Sequence, residues 1–123
     1  MHWENQLSAM APAKRAAACV ALCNVFDSSS DRRDTLLALA TPALLRALNV
    51  RLMDANDTVR LHAAGAIRNL AASKLVEVCE RVQQAGVLTS IFNILQQRCA
   101  AGDVAAEFVE FVEQLLGALT SLW

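Results

Sequence analysis

The four cysteines are the side chains best suited to chemistry, because thiolates bind metals and act as nucleophiles. They lie at positions 19, 23, 79 and 99. Cys19 and Cys23 are one helical turn apart, which puts both on one face of a helix. A structural zinc site needs four ligands in paired spacing, and the sequence has neither a CxxC pair nor an HxxxH pair. The pattern therefore predicts no metal and no cofactor, and favours buried free thiols in a reducing compartment.

Three glutamates, Glu107, Glu110 and Glu113, recur at every third position near the C-terminal end. On a helix this spacing places the carboxylates on one slowly drifting face. Paired-acid catalysis needs carboxyl groups that face each other across a cleft, about 5–9.5 Å apart, which a single helix does not provide. Two interpretations remain: a solvated helix face, or an acidic patch that receives Lys and Arg side chains of a basic client.

No motif of enzymatic chemistry accompanies these residues. The sequence has no phosphate-binding glycine-rich loop, no GxSxG, no HExxH and no cysteine beside a plausible base. The net charge is −1, whereas nucleic-acid binding requires a basic stripe or patch. We therefore predict a protein that is not an enzyme, has no small-molecule substrate and does not bind nucleic acid directly.

The composition is that of close-packed helices in one domain. Of 123 residues, 55% are hydrophobic and only 5% aromatic, with Ala and Leu prominent. An apolar run from Ala16 to Phe26 follows Lys14-Arg15 and imitates a secretory signal, but its pattern recurs downstream, where no signal could act. The run is also shorter than the ~20 residues of a membrane span. The expectation is a soluble protein of the cytoplasm, the nucleus or both, without a membrane partner.

The stretch from Asp54 to Gln97 predicts the helices that would position a site. Its polar start, with Thr58 as the cap, leads into a helix with apolar residues at steps of three and four. A second helix runs from Val87 to Leu95. The apolar stripe of the first helix is formed by Val59, Ala63, Ala66, Ile67 and Leu70.

Two further helices are predicted from start signals and apolar spacing. Thr41-Pro42 marks a helix start, because proline at the first helical position loses no needed hydrogen bond. A short helix lies between Ser73 and Gln84. Its inward residues are predicted to be Leu75, Val76, Cys79 and Val82.

An internal repeat connects these segments. The segment 14–25 aligns with the segment 59–70, so that Arg15 falls on Arg60 and Asn24 on Asn69, 45 residues later. Helical repeats of the armadillo and HEAT type have periods of about 40–47 residues. A fainter third copy begins at Gly117, which echoes Gly65. Helices this short cannot bury their apolar faces alone, so the repeat predicts units that stack.

The repeated segments resemble the armadillo family. Ala85-Gly86-Val87-Leu88 is similar to the start of that family's second helix, and the segment 63–70 is similar to its long third helix. The resemblance implies an all-α fold, a right-handed armadillo/HEAT-type α-solenoid of about two and a half repeats. It divides the single domain 1–123 into an orphan third helix (about 12–26) and repeats at about 27–72 and 73–123.

The resemblance also implies a binding groove, because armadillo third helices line the concave side of the solenoid. There an Asn bonds the backbone of an extended peptide. The aromatic residue one turn before that Asn is replaced here by Val20, Gly65 and Gly117, which implies a weaker or differently shaped client contact. Gly65 suggests close helix approach, with packing alone as the alternative. Arg60 is expected to pair with Asp57 or a neighbouring carboxylate in a structural role. The groove residues are predicted to be Asn24, Asn69, Gly65, Arg68 and Ser121.

A closer resemblance is to the N-terminal repeats of symportin-type HEAT/armadillo proteins, in which motifs like Asp57-Thr58-Val59-Arg60 and Glu77-Val78-Cys79 flank the third helix. It implies a protein-binding scaffold that chaperones newly made large-subunit (5S particle) ribosomal proteins through basic segments and escorts them to an import receptor. The import-receptor signal of that family has no counterpart before Ala11. The alternative is a structural subunit of a larger assembly, or a repeat fragment that associates with itself through uncapped ends.

Overall fold

The computed structural model describes residues 2–28, 32–101, 110–111, 113–114 and 116–117. Every regular element in these ranges is α-helical, which confirms the all-α prediction. The residues described between 110 and 117 are helical too, and we call them the C-terminal helical segment. None of the described helices is long and apolar enough to cross a membrane. The numbered helices are α1 (His2–Leu7), α2 (Pro12–Ser28), α3 (Arg33–Leu39), α4 (Pro42–Arg51), α5 (Asp57–Ala72), α6 (Val76–Gln84) and α7 (Val87–Ala101).

The two long helices α2 and α5 lie side by side and run in the same direction. Near their first turns, Arg15 Nε on α2 donates to Asp54 Oδ2, three residues before α5, at 2.8 Å. Near their last turns, Asn69 Nδ2 on α5 donates to the Cys23 carbonyl oxygen on α2 at 3.0 Å. Contacts at matching ends require parallel helices, as expected of equivalent helices in successive repeats.

The shorter helices repeat the same arrangement around this pair. α1 packs on α2 and on α4, α4 packs on α5, and α3 packs on α6. Several hydrogen bonds between successive units join residues about one repeat apart: 44 positions for Arg33 with Glu77 and for Arg81 with Leu37, and 46 for Asn69 with Cys23. These separations match the 45-residue offset of the sequence repeat. Sequence patterns predict the first helix from Pro12, so α1 is an additional helix.

The predicted start of α4 is confirmed. Thr41 is the N-cap, its hydroxyl oxygen accepts from Leu44 N at 3.2 Å, and Pro42 occupies the first turn. α7 starts after Gly86, whose φ of 91° lies in the left-handed region that favours glycine. α7 continues to Ala101, beyond the predicted end at Leu95.

The cap of α5 differs from the prediction. Asn56, not Thr58, is the N-cap, and its side-chain oxygen accepts from Val59 N at 3.1 Å. Asn at this position satisfies a free amide of the first turn as well as Thr would, and Asp57 then adds a favourable negative charge. Arg60 forms an ion pair with Asp57, so the predicted structural role of Arg60 is confirmed.

The core forms where the apolar faces of the helices meet. The five predicted stripe residues of α5 are all buried, with at most 1% of their surface exposed. In α6 the inward face is shifted: Val76 is 65% exposed and Val78 is buried. The reason is that α6 starts at Val76, later than predicted. Val78 and Val82, one turn apart, then form the buried face of the helix. The prediction that Val76 points inward was therefore wrong.

A buried carboxylate holds the beginnings of α2 and α5 together. Asp54 accepts from Arg15 Nε and Nη2 at 2.8 and 3.0 Å, from Arg51 Nη1 at 2.7 Å and from Asn56 N at 2.9 Å. Burial by itself would raise the pKa of this carboxyl, but these donors and the two positive charges outweigh it and hold the pKa below its usual range. Asp54 is therefore ionised and fully hydrogen-bonded at neutral pH.

Candidate protein-binding surface on α2 and α5

The predicted groove residues lie on the α2–α5 pair and on the C-terminal helical segment beside it. Asn24 is exposed, Gly65 and Asn69 are half-buried, and Arg68 is exposed. Ser121 lies outside the described residues. We call this surface, formed by Val20, Asn24, Gly65, Arg68, Asn69 and Gly117, the inner face.

Asn69 joins α5 to α2. Its Nδ2 atom donates to the Cys23 carbonyl oxygen at 3.0 Å and to Cys23 Sγ at 3.1 Å. The amide N–H groups of Asn69 are therefore committed to the neighbouring helix, and Oδ1 is the part of the side chain left for a client. Asn24 is different: it is exposed, and among the described residues it has no side-chain hydrogen-bond partner.

Arg68 connects α5 to the C-terminal helical segment. Its Nη1 donates to Gln114 Oε1 at 3.2 Å, and its stem lies across Gly117. A Cβ at Gly117 would come within 2.7 Å of Arg68 Nε, so the Arg68 side chain can take this position because residue 117 has no side chain. The structure therefore brings Arg68 and Gly117 together.

Gly65 sits opposite α2 without forced contact. A Cβ added there would meet Cys23 Sγ at 3.6 Å and Gln114 Oε1 at 4.0 Å, which are ordinary van der Waals distances. The close helix approach expected from this glycine is therefore not needed to fit α2 against α5. Gly65 is half-buried and lies between Cys23 on α2 and Gln114 on the C-terminal helical segment.

The acidic residues of the C-terminal helical segment border the inner face. Glu113 and Glu110 are exposed, one and two turns before Gly117 on the same helical face. Glu107 lies outside the described residues. Asp27, exposed at the end of α2, acts on Cys23 together with Arg68. Exposed carboxylates therefore occur at the end of α2 and on the C-terminal helical segment.

The surroundings of the three described cysteines, Cys19, Cys23 and Cys79, disfavour the thiolate form. Burial raises the pKa of Cys19 to about 12, and burial, followed by the charge of Asp27, raises the pKa of Cys23. Burial also raises the pKa of Cys79. Among the described residues no group of three His, Cys, Asp or Glu side chains could hold a metal ion. These thiols fill space between helices.

Sequence patterns missed the role of Arg15 and Asp54. In the sequence Asp54 is typical of a turn residue, because nothing local indicates that its carboxylate will be covered by α2. One signal was available: Arg15 occupies the same repeat position as Arg60, whose acidic partner is close in sequence. An arginine at the same place in an earlier repeat indicates an acidic partner for Arg15 as well.

Comparison with solved structures decides the fold. A designed armadillo repeat protein superposes on 98% of this chain and 45% of its own length, with a TM-score of 0.76 and 20% sequence identity. The fold is an armadillo/HEAT-type α-solenoid of a few repeats. No protein-family model matches the sequence of this solenoid. At the sequence level it is 34% identical over 88 residues to human HEAT repeat-containing protein 3; the match covers 72% of this chain and 12% of that protein.

Proposed function

We propose that this armadillo/HEAT-type solenoid is a non-enzymatic scaffold that binds an extended segment of a client protein along its inner face. The observation that carries the proposal is the parallel packing of α2 and α5. It supports the proposal because Asn24 and Arg68 are both exposed on these neighbouring helices, and Gly65 between them in sequence has no side chain. An extended peptide needs room for its backbone and polar groups for its amides.

The client is a basic segment. Glu110 and Glu113 lie on the C-terminal helical segment and Asp27 lies at the end of α2, and all three are exposed. Complementary charges at the rim of a surface steer a partner and fix its register. Arg68 is already hydrogen-bonded to Gln114 and donates its remaining N–H groups to client carbonyl oxygens. Glu107 and Ser121 extend the same site by their sequence positions.

The finer proposal follows the symportin-type resemblance. In it the client is a newly made large-subunit ribosomal protein of the 5S particle, chaperoned in the cytoplasm and carried to the nucleus. The basic extensions of such proteins suit the carboxylates around the inner face. The division into an orphan helix and repeats at about 27–72 and 73–123 is part of this proposal.

The test is fluorescence anisotropy with a labelled basic segment of a 5S-particle ribosomal protein and a charge-neutral control segment in which Gln replaces each Lys and Arg. Binding is expected to weaken with salt, because exposed charges are screened. Asn24→Ala removes hydrogen bonds worth about 1 kcal/mol, which corresponds to roughly a five-fold loss in affinity. Glu113→Gln should flatten the salt dependence.

Val76→Ala is the matched control for these variants. Val76 is exposed on α6, away from the inner face, so this substitution should leave the affinity unchanged. Equal affinity for the basic and neutral segments would refute a basic client. Unchanged affinity in the Asn24→Ala and Glu113→Gln variants together would refute the inner face as the site.

A second candidate is assembly with another helical element, and Phe92 favours it. The buried residues Leu44 and Leu48 of α4 correspond to Val87 and Ile91 of α7, so Phe92 occupies the position of Asn49. Asn49 Nδ2 donates a hydrogen bond to the Ala85 carbonyl oxygen of the next unit at 3.0 Å. Phe92, at the equivalent position, is instead 49% exposed. Light scattering of wild type and Phe92→Asp tests this: an oligomer that the substitution dissociates supports assembly, and a monomer at all concentrations counts against self-association.

A further inference from the structure

The helix α2 is apolar on every side. Between Ala16 and Phe26 the one polar side chain is that of Asn24, and the rest of the segment consists of Ala, Val, Leu, Cys and Phe. A helix that is hydrophobic all round is normally buried all round. α5 and α1 pack on α2, yet Ala17 and Val20 are exposed. α2 therefore has one apolar side that no described helix covers.

The corresponding side of α5 is a contact between helices. With the 45-residue offset of the repeat, Ala66 corresponds to Ala21 and Asn69 to Asn24. Ala66 is buried, and Asn69 donates to the Cys23 carbonyl oxygen on α2 at 3.0 Å. Ala21 is only half-buried, and Asn24 is exposed. The side that packs on a helix in α5 is thus left open in α2.

The charges at the two ends of α2 oppose its own helix dipole. Lys14 lies in the first turn, where the dipole is positive, and Asp27 lies in the last turn, where it is negative. Both side chains are exposed, and neither forms an ion pair with a described residue. The same charges are favourable to a second α2 that runs in the opposite direction, because each then lies near a dipole end and a side chain of opposite sign.

We propose that the open side of α2, formed by Ala17, Val20 and Ala21, pairs with the same side of a second copy of this chain, with the two α2 helices antiparallel. Such a contact is isologous, because both copies use the same residues, and assembly stops at a dimer. Lys14 of each copy lies near the partner's Asp27. Parallel pairing would instead set Lys14 against Lys14 and Asp27 against Asp27, which like-charge repulsion disfavours.

Pairing also affects the inner face. Val20 belongs to both surfaces, and Asn24 follows it one helical turn later. A client and a second copy therefore compete for this part of α2. This consequence rests on the proposed function, whereas the dimer itself does not.

Sedimentation equilibrium of the full chain at increasing concentrations tests the dimer. Wild type is expected to show a monomer–dimer equilibrium. Ala17→Glu should weaken the dimer about ten-fold or more, because it places a charge in an apolar contact. Ala43→Glu is the matched control, since Ala43 is also an exposed alanine but lies on α4, and it should leave the dimer unchanged. Phe92→Asp should leave it unchanged as well.

Two charge reversals test the antiparallel direction. Lys14→Glu and Asp27→Lys should each weaken the homodimer, because each places like charges together at both ends of the contact. An equimolar mixture of the two variants should restore dimerisation, since opposite charges then meet at both ends. In a parallel pair each single reversal would leave the homodimer unchanged, because like charges already face each other in wild type.

A monomer at every concentration would overturn the proposal, since something other than a second copy would then cover α2. So would a dimer that Ala17→Glu does not weaken, single reversals without effect, or assemblies larger than two, which indicate head-to-tail packing. A dimer of the expected behaviour in a protein that binds no labelled basic segment would refute the proposed function and leave the dimer standing.

Discussion

Replacing Asp54 with asparagine removes the charge at the centre of the contact between α2, α4 and α5. The new amide has nearly the shape of the carboxylate, so packing is preserved. It presents N–H groups to Arg15 or Arg51, however, and cannot accept all four of the hydrogen bonds that Asp54 accepts. The substitution therefore tests the electrostatic contact without creating a cavity.

The exposure of the three side chains sets the size of the effect. Breaking a fully buried ion pair costs about 3–5 kcal/mol. The Asp54 side chain is 1% exposed, but those of Arg15 and Arg51 are 13% and 19% exposed and regain some water. We therefore expect Asp54→Asn to lower the free energy of unfolding by about 2–3 kcal/mol. A domain of ordinary stability, about 5–15 kcal/mol, remains folded after that loss.

The effect depends on pH in a defined direction. An aspartate in an unfolded chain has a pKa of about 3.9. The folded-state pKa of Asp54 lies below its usual value, so its stabilisation is present above the unfolded pKa and is lost as the pH falls through the folded one. The difference between wild type and Asp54→Asn should be constant from about pH 5 to 8 and shrink below about pH 4.

Urea denaturation followed by circular dichroism at 222 nm measures this difference across the pH range. Asp34→Asn is the matched control, because the same chemical change is made at a side chain that is 98% exposed. It should alter stability by no more than about 0.5 kcal/mol. A stability loss in Asp54→Asn that equals the control, or that does not change with pH, would refute the role assigned to Asp54.

Three further outcomes are expected. Gly65→Ala should raise the free energy of unfolding by about 0.5–1 kcal/mol, since Ala favours the helix and its Cβ meets only ordinary contacts, and a decrease in a urea titration would show that α2 and α5 are closer than described. Asn69→Ala should lower stability by about 1 kcal/mol through loss of its bonds to Cys23, while Asn24→Ala should change it by less than about 0.5 kcal/mol; equal effects in parallel thermal melts would contradict the different roles of the two amides. At pH 8 Cys19 should resist maleimide labelling until the chain is unfolded, because the side chain is buried and its pKa is raised to about 12. Rapid labelling of the folded protein, detected by mass spectrometry, would disprove that burial.

The sequence predicts the fold well because the repeat is carried by apolar spacing. The stripe from Val59 to Leu70 is buried as predicted, and Thr41-Pro42 starts α4, since both depend on local rules. Contacts between units are harder to predict, because they depend on which helix lies opposite. The carboxylate of Asp54 and the shared contact of Asn69 with Cys23 join residues 39 and 46 positions apart.

The sequence does not distinguish the two candidate asparagines, whereas their packing does. The resemblance pointed to Asn24 and Asn69 as equals, and nothing local distinguishes them. The packing of the helices distinguishes them. Asn69 donates hydrogen bonds to Cys23 on α2, whereas no described residue forms a side-chain hydrogen bond with Asn24. Gly117 repeats Gly65 in sequence, yet only the structure shows that Arg68 lies over Gly117.

Site-specific photo-crosslinking tests the inner face as a client site most directly. Benzoylphenylalanine placed at positions 24 and 68, and at position 76 as the control, is irradiated with the labelled basic ribosomal-protein segment. The inner face predicts crosslinks at 24 and 68, suppressed by excess unlabelled segment, and none at 76. Crosslinking at 76 alone, or equally at all three positions, would contradict a client bound along α2 and α5.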